Sequence, residues 1–581
     1  MAAPTDPLEL VDFASDFPAA SEDDWRALVA GVLRRSGRPD TADPVEALTA
    51  NTYDDIAIRP LYPAGPDPAL DRVARDGAWD VRTRHRDPDA AAANAAILND
   101  LETGATSLWL TIGTGGLAVD DLPSALRGVY LGLAPVVLDA GDRSAAAARA
   151  LLDLAGDVEP GSLQGSLGAD PIGWRARTGA DCFRLAELVA LAGGYRRLRI
   201  ATVDGTVYHD AGAGDATEIA AATATGVAYL RELTDAGLAV DEAFDRIEFR
   251  IAVTADQFGS IAKLRAARQV WQRVAELCGA DNREQHQHAV TSAVMLTRRD
   301  PWVNLLRTTI GCFAAAVGGA DAITVLPFDT ALGLPDDFAR RIARNTHAVL
   351  HDESSLGRVA DAAGGSWYVE SFTARLAEQA WQRFTDIEQS GGALAALDGG
   401  LLGGLVASTR RRRADDIAHR RAPLTGVTEF ALPDEPALER LAAPQAPSGG
   451  PLEAVRWAAE FEELRDRVEA RETRPAVFLA TLGPQSQHSA RLAFARNLFN
   501  AGGFRVLDGA ADEFASSGAA VACVCSSDTV YADEAEHAIA ALRAAGAKQV
   551  WIAGRHDGAD GQLYAGCDAL AVLRTTEETT A

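Results

Sequence analysis

The chain predicts an α/β protein with a large N-terminal β/α unit, a connector and a smaller C-terminal α/β domain. Three observations carry that expectation. From about Ala50 to about Ala422, short apolar runs alternate with helix-length amphipathic stretches, as in parallel strands joined by crossover helices. A stretch rich in proline and glycine, PQAPSGG from Pro444 to Gly450, interrupts the alternation. Beyond it, Leu479 to Val506 reads as strand, tight loop, helix and Gly-Gly stop, the opening unit of a nucleotide- or cofactor-binding α/β domain.

The elements follow in order. Residues 1 to about 45 form an acidic arm. Ser21 with Asp24 three residues on makes a capping-box start, and Trp25, Leu28, Val29 and Val32 give an apolar stripe ending before Gly37. So short a helix must pack on something, in this chain or on a partner. Between 46 and 422 the candidate strands are Ser107–Ile112, Pro135–Leu138, Leu198–Val203, Ile247–Ala252, Ala289–Met295 and Ala322–Val325. Helices are expected over Asp87–Leu101, Ala216–Ala236, Gln257–Gly279 and Pro301–Gly318. One contiguous unit of this length commonly closes into a (β/α)8 TIM-type barrel, which makes eight strands an inference from six; a doubly wound sheet remains open. The connector, 423–473, ends in a helix expected over Pro451–Glu472. The last domain, 474–581, has expected strands at Ala476–Ala480, Val521–Cys525 and Gln549–Ala553, a helix from about Ser489 and a polar tail, TTEETTA, read as disordered.

Composition narrows the partners. A formal charge of −27 repels nucleic acid and anionic membrane surfaces alike. The cluster Arg410 to Arg413, flanked by Asp415 and Asp416, reads as a solvated helix face. Six cysteines in 581 residues make no disulfide framework, and Cys523 and Cys525, alternating in an apolar strand, read as core packing. With no signal-peptide pattern and no 18-residue uncharged apolar run, a cytoplasmic setting is expected. Gly113 to Gly116, GTGG, lacks the Lys-Ser/Thr of a phosphate loop and reads as a barrel loop.

Several blocks, in order and spacing, resemble the methylmalonyl-CoA mutase family. They are DLETGATSLWL (Asp100 to Leu110), IEFRIAVTADQFGSIAKLRAARQVW (Ile247 to Trp271), the segment Asp300 to Asp329, LPDDFARRIARNTHAVLHDES (Leu334 to Ser354), GGSWYVE (Gly364 to Glu370) and RRAPLTGVTEF (Arg420 to Phe430). Within the family they look most like the small, non-catalytic subunit of the heterodimeric bacterial enzyme. The resemblance implies a mutase-type barrel followed by a flavodoxin-like cobalamin-binding domain. It also implies a large catalytic subunit as partner, holding the adenosylcobalamin and the acyl-CoA substrate.

By the same resemblance, Tyr208 and His209, in a Tyr-His block on a loop past the strand Leu198–Val203, and Gln164 in SLQGSLGADP match substrate-contacting positions. They are treated as vestigial. The coenzyme A-admitting block of catalytic subunits has no counterpart before Ser107, and their Arg-Thr-His stretch is replaced by His286 to Ala293, which suits a filled barrel. His286 and His288, read as loop histidines, lack a carboxylate or cysteine at ligand spacing, and no metal is expected. In the last domain the family's Asp-x-His-x-x-Gly loop corresponds to Gln485, Gln487 and Ala490, with His488 one place beyond the ligand position. Ser527 and Gly554 fall on the second and third cobalamin contacts, with Asp528 and Arg555 where an apolar residue and a glycine belong. No cofactor binding by this chain is expected. A self-sufficient acyl-CoA mutase using Tyr208 and His209, a component of a related enzyme such as isobutyryl-CoA mutase, and a stand-alone scaffold are the alternatives.

Overall fold

Strand–helix alternation resolves into eight parallel strands closed as a barrel. They are β1 (Asp80–His85), β2 (Ser107–Thr111), β3 (Val136–Asp139), β4 (Gly165–Ala169), β5 (Leu198–Asp204), β6 (Ile247–Val253), β7 (His286–Thr291) and β8 (Ala322–Thr324). Each pairs with the next, and β8 closes on β1 through Ala322 opposite Asp80. The computed structural model of the chain describes residues 21–37, 43–63 and 77–581, other than Asp157 and Cys182. It divides into two units, residues 1–66 and 67–581.

Helices sit close to where the apolar periodicity puts them: Ala90–Glu102, Asp215–Asp235, Gln257–Cys278 and Val303–Val317. Their ends follow capping chemistry. Asp256 accepts from the Gly259 N–H, and Gly279 stops the same helix at φ +69°. Two strands, β1 and β4, lie outside the six expected, and β7 begins at His286 rather than Ala289. The histidines expected on a loop are therefore on a strand.

In the first unit, Ser21 caps the helix Glu22–Arg35 and forms the reciprocal box with Asp24. Arg26 ties it to Asp43, at the N-cap of the helix Pro44–Leu48. Of the expected stripe, Leu28 and Val32 stay exposed, at 72% and 51%, while the neighbouring Leu33 is buried. The arm's first twenty residues lie outside the described ones.

The C-terminal sheet comprises β9 (Ala476–Thr481), β10 (Arg505–Ala510), β11 (Val521–Cys525), β12 (Gln549–Ala553) and β13 (Gly561–Leu563). All are parallel, in the order β10-β9-β11-β12-β13. This is the flavodoxin-like order, with its switch point between β9 and β11. Alternation sorts the two faces. Leu479, Val521, Cys523 and Cys525 pack with Phe461, Leu464 and Phe499, whereas Phe478, Ala522 and Val524 pack with Tyr531 and Ile539. All five described cysteines are unpaired.

Two expectations need correction. The connector helix spans only Ala459–Glu469. The residues before it cross the barrel mouth as an extended strap, bonded to carbonyls of short helices and a loop there from Gly450 (to Arg177, 2.8 Å), Leu452 (to Ala176, 3.0 Å), Val455 (to Asp210, 2.8 Å) and Trp457 (to Val294, 2.9 Å). The polar tail is helical, within Ala569–Thr579. Thr576 is buried there and accepts from the Trp551 indole at 3.1 Å.

Candidate functional site in the barrel lumen and the C-terminal crevice

In an eight-stranded ring, a side-chain contact between strands four apart must cross the lumen. Trp109 on β2 and Arg250 on β6 make such a contact, the guanidinium lying 3.9 Å from the ring centroid. Arg84 on β1 lies over the same ring at 4.2 Å, and His288 on β7 meets it edge-on at 5.4 Å. Below this layer Arg82 on β1 reaches Glu248 on β6, again across the interior, at 2.9 Å. Both are almost fully buried. Above it Asp204 on β5 binds Arg250 at 2.9 Å and also Arg177. Burial alone would raise the Asp204 carboxyl, but Arg250 and Arg177 outweigh that and hold it down, to about 2. The lumen is filled by interlocked charge and aromatic surface.

The crevice at the C-terminal switch point is occupied too. Arg491, from the helix Gln485–Ala501, donates to the Ser526 carbonyl at 2.7 Å and to Asp528 at 2.5 Å. Its guanidinium lies over Tyr531 and against Gly554, whose φ is +131°. Arg555 lies over Tyr564 at 4.5 Å, at the edge of the crevice. A shallow pocket of about 360 Å³ remains, lined in part by Arg491, Asp528, Gly554 and Arg555.

Comparison with known proteins matches this architecture to one family. The methylmalonyl-CoA mutase family model matches residues 110–473. A methylmalonyl-CoA mutase small subunit from Streptomyces virginiae is 51% identical, over 99% of this chain and 98% of its own length. The chain belongs to the methylmalonyl-CoA mutase family. A probable small subunit from Mycobacterium bovis is 44% identical over 91% of this chain and 92% of its own, and the small subunit from Propionibacterium freudenreichii subsp. shermanii is 39% identical over 97% and 96%.

The family's substrate-side residues are placed differently here from what the motifs imply. Tyr208 and His209 sit on a short helix, Thr206–Ala211, not on a loop, and both are buried. The Tyr208 hydroxyl bonds Thr225 at 2.7 Å in the wall. His209 bonds Ser292 at 2.8 Å, lies 3.5 Å from Glu218 and has Trp457 of the strap 6.2 Å away. Glu218 in turn binds the buried Lys263 at 2.7 Å. The network ties Tyr208 and His209 into the wall, with His209 Nδ1 facing Glu218 beyond hydrogen-bond contact. Gln164 precedes β4, at the end of the barrel opposite the mouth, and accepts from Arg197 at 2.9 Å. His288 bonds Thr324 at 2.7 Å, and burial, with Arg82 and Arg250 nearby, holds its imidazole far below the usual range. His286 is a half-buried strand residue facing Asp245 at 4.0 Å. Among the described residues, no three His, Cys, Asp or Glu side chains converge as a metal site would require.

The family is cobalamin-dependent, and the crevice is where a corrinoid would sit. The loop after β9 is only three residues long, because the helix starts at Gln485, four residues earlier than its periodicity suggests. Gln485, Gln487 and His488 are thus on its first turn, and His488 bonds back to the Gly483 carbonyl at 3.3 Å. That contact turns the His488 imidazole back towards its own loop. Ser527 is spent capping the helix Asp528–Ala544. Arg491 lies where the backbone at Gly554 would have to admit a ligand. These residues do not fit the cofactor. The sequence motifs gave no signal for the closing role of Arg491, next to the degenerate loop motif, or of Arg250, inside the block Ile247 to Trp271, since neither was singled out there as a site residue.

Arg413, one of the expected solvated cluster, packs over Trp457 at 5.2 Å; Arg410 to Arg412 are exposed as expected.

Proposed function

We propose that this chain is the small, non-catalytic subunit of a heterodimeric adenosylcobalamin-dependent methylmalonyl-CoA mutase. In this reading a larger catalytic subunit holds the cobalamin and the acyl-CoA and interconverts methylmalonyl-CoA and succinyl-CoA. This chain does no chemistry and stabilises that partner. The observation that carries the reading is the Trp109–Arg250 contact across the lumen, which leaves no axial passage for a thioester. The Arg491–Asp528 pair in the crevice supports it independently.

A scaffold needs surface for its partner. Leu28 and Val32 of the arm, and the exposed row Trp302, Leu306 and Ile310 at helical spacing, are apolar groups such a surface would bury. No described helix is long and apolar enough to cross a membrane. A cytoplasmic location suits the unpaired cysteines.

The test is co-expression with the candidate large subunit, size exclusion, and a mutase assay with each chain omitted in turn. Co-elution, with turnover from both chains or from the partner alone, is the expected result. Turnover from this chain alone would sink the proposal.

A further inference from the structure

Above the plugged lumen, between the barrel mouth and the strap, lies a cavity of about 540 Å³. That is within the range of small-molecule sites. Its walls include Trp109, Trp174, Ile112 and Leu452, and two arginines from the end of β1, Arg84 and Arg86. Neither arginine has a carboxylate at ion-pair distance. Arg84 donates to the Thr111 hydroxyl at 3.3 Å, and Arg86 to the Pro444 carbonyl of the strap. Two further donors at this cavity, Arg86 Nε and the Trp109 indole N–H, are buried without a partner. Buried donors left unmade are costly, and buried cations without counter-charge more so.

The acids around the cavity do not fill that role. Asp204 is engaged by Arg177 and Arg250, and Asp139, 3.8 Å from Arg250, offsets the charge of Arg84 and Arg86 only in part and without an ion-pair contact to either. Asp210, pushed up to about 6 by burial, makes no ion pair with either arginine. Glu453 is on the exposed strap. Consistently, burial, with Arg86 and Arg250 close by, draws Arg84 down to about 10. A chain carrying −27 overall thus keeps, beneath a strap, a chamber with two under-compensated guanidinium groups and half-apolar walls.

We propose that this cavity binds a small free organic dicarboxylate, its carboxylates taken by Arg84, Arg86 and the Trp109 indole and its carbon chain set against Trp174 and Leu452. Inorganic phosphate has no apolar body for those walls, and a monocarboxylate satisfies only part of the donor set. The occupant is free and not a thioester, because Trp109 and Arg250 close the lumen beneath it. The site belongs to this chain alone and does not require the pairing proposed above.

The experiment is isothermal titration of the purified full-length chain, without any partner, using succinate, butyrate (the monocarboxylate of the same length) and inorganic phosphate as probes. Succinate should bind one to one and saturably, at least tenfold more tightly than butyrate or phosphate. R86M should weaken it at least tenfold with melting temperature unchanged, and R84Q should weaken it as much with a lowered melting temperature, because Arg84 also packs on Trp109. Arg86 is the safer variant, being half-buried with one carbonyl contact, and R84Q is the second should R86M unfold. Absence of saturable succinate binding, equal binding by a folded variant, or phosphate binding as tightly as succinate would overturn the proposal.

Discussion

Replacing Glu248 by glutamine keeps the side chain's shape, removes its charge and leaves Arg82 facing a neutral amide inside the barrel. Arg82 and Glu248 are 5% and 3% exposed and meet at 2.9 Å. Burial alone would raise the Glu248 carboxyl, but Arg82, Arg199 and Arg250 outweigh it and keep the group below its ordinary range, so it is charged at neutral pH. Removing one partner of a buried pair costs roughly 3–5 kcal/mol. Arg82 retains Asp80 at 3.2 Å and the Ser107 hydroxyl at 3.1 Å, which places E248Q at the low end, about 3 kcal/mol. The double variant R82M/E248L removes both charges together and should cost less than E248Q, since apolar replacement of a buried pair is often neutral. Urea denaturation of the full chain reads this, with the barrel transition fitted separately from that of the C-terminal domain. A hydrated, open lumen would screen Arg82. If E248Q stays within about 0.5 kcal/mol of the parent, the closed-lumen reasoning is wrong.

Two further outcomes follow from the same geometry. G554A places a Cβ 2.7 Å from the Arg491 guanidinium carbon at φ +131°, and should destabilise the C-terminal domain by about 1–3 kcal/mol in thermal melts; adding R491A should restore only the steric part, because the backbone strain remains. His347 is buried and accepts from the Trp79 indole at 2.9 Å, and burial draws its imidazole down to about 4. Its folded value lies below the unfolded one, so the unfolded chain takes the proton first. Stability is lost as pH falls from about 6.5 towards 4, by up to about 3 kcal/mol, and H347Q should flatten the melting temperature over that window. An unchanged slope would mean that His347 is already protonated in the folded state.

The parts of the fold that were legible are those whose faces are apolar. β2, β3, β5, β6 and β8 read as strands because Leu, Val and Ile run through them. β1, DVRTRH, gave no such signal, and the reason is the function of the lumen. Its interior positions carry Arg82 and Arg84, which fill the barrel, so the strand looks like polar loop. β7 is obscured in the same way by His288, and β4, GSLGA, by its glycines. The tail was misread because Thr576 is polar in sequence but is held under Trp551 in the fold. In the crevice, the exchange of ligand residues for Gln485 and Gln487 was visible, yet the change in backbone was not. Proline at 484 serves as the N-cap and lets the helix begin where a longer loop was expected. Arg491 and Arg250 act over distances that only the folded chain closes.

An interior packed shut by Trp109 and Arg250, and a crevice filled by Arg491, leave cobalt no side chain to take. Absorbance and electron paramagnetic resonance spectra of the isolated chain, mixed with cobalamin at stoichiometric ratio and passed over a desalting column, test this most directly. The expected result is cobalamin that elutes free, with no cobalt–imidazole signature in the protein fraction. A stoichiometric protein-bound corrinoid with a histidine nitrogen on the metal would contradict the account.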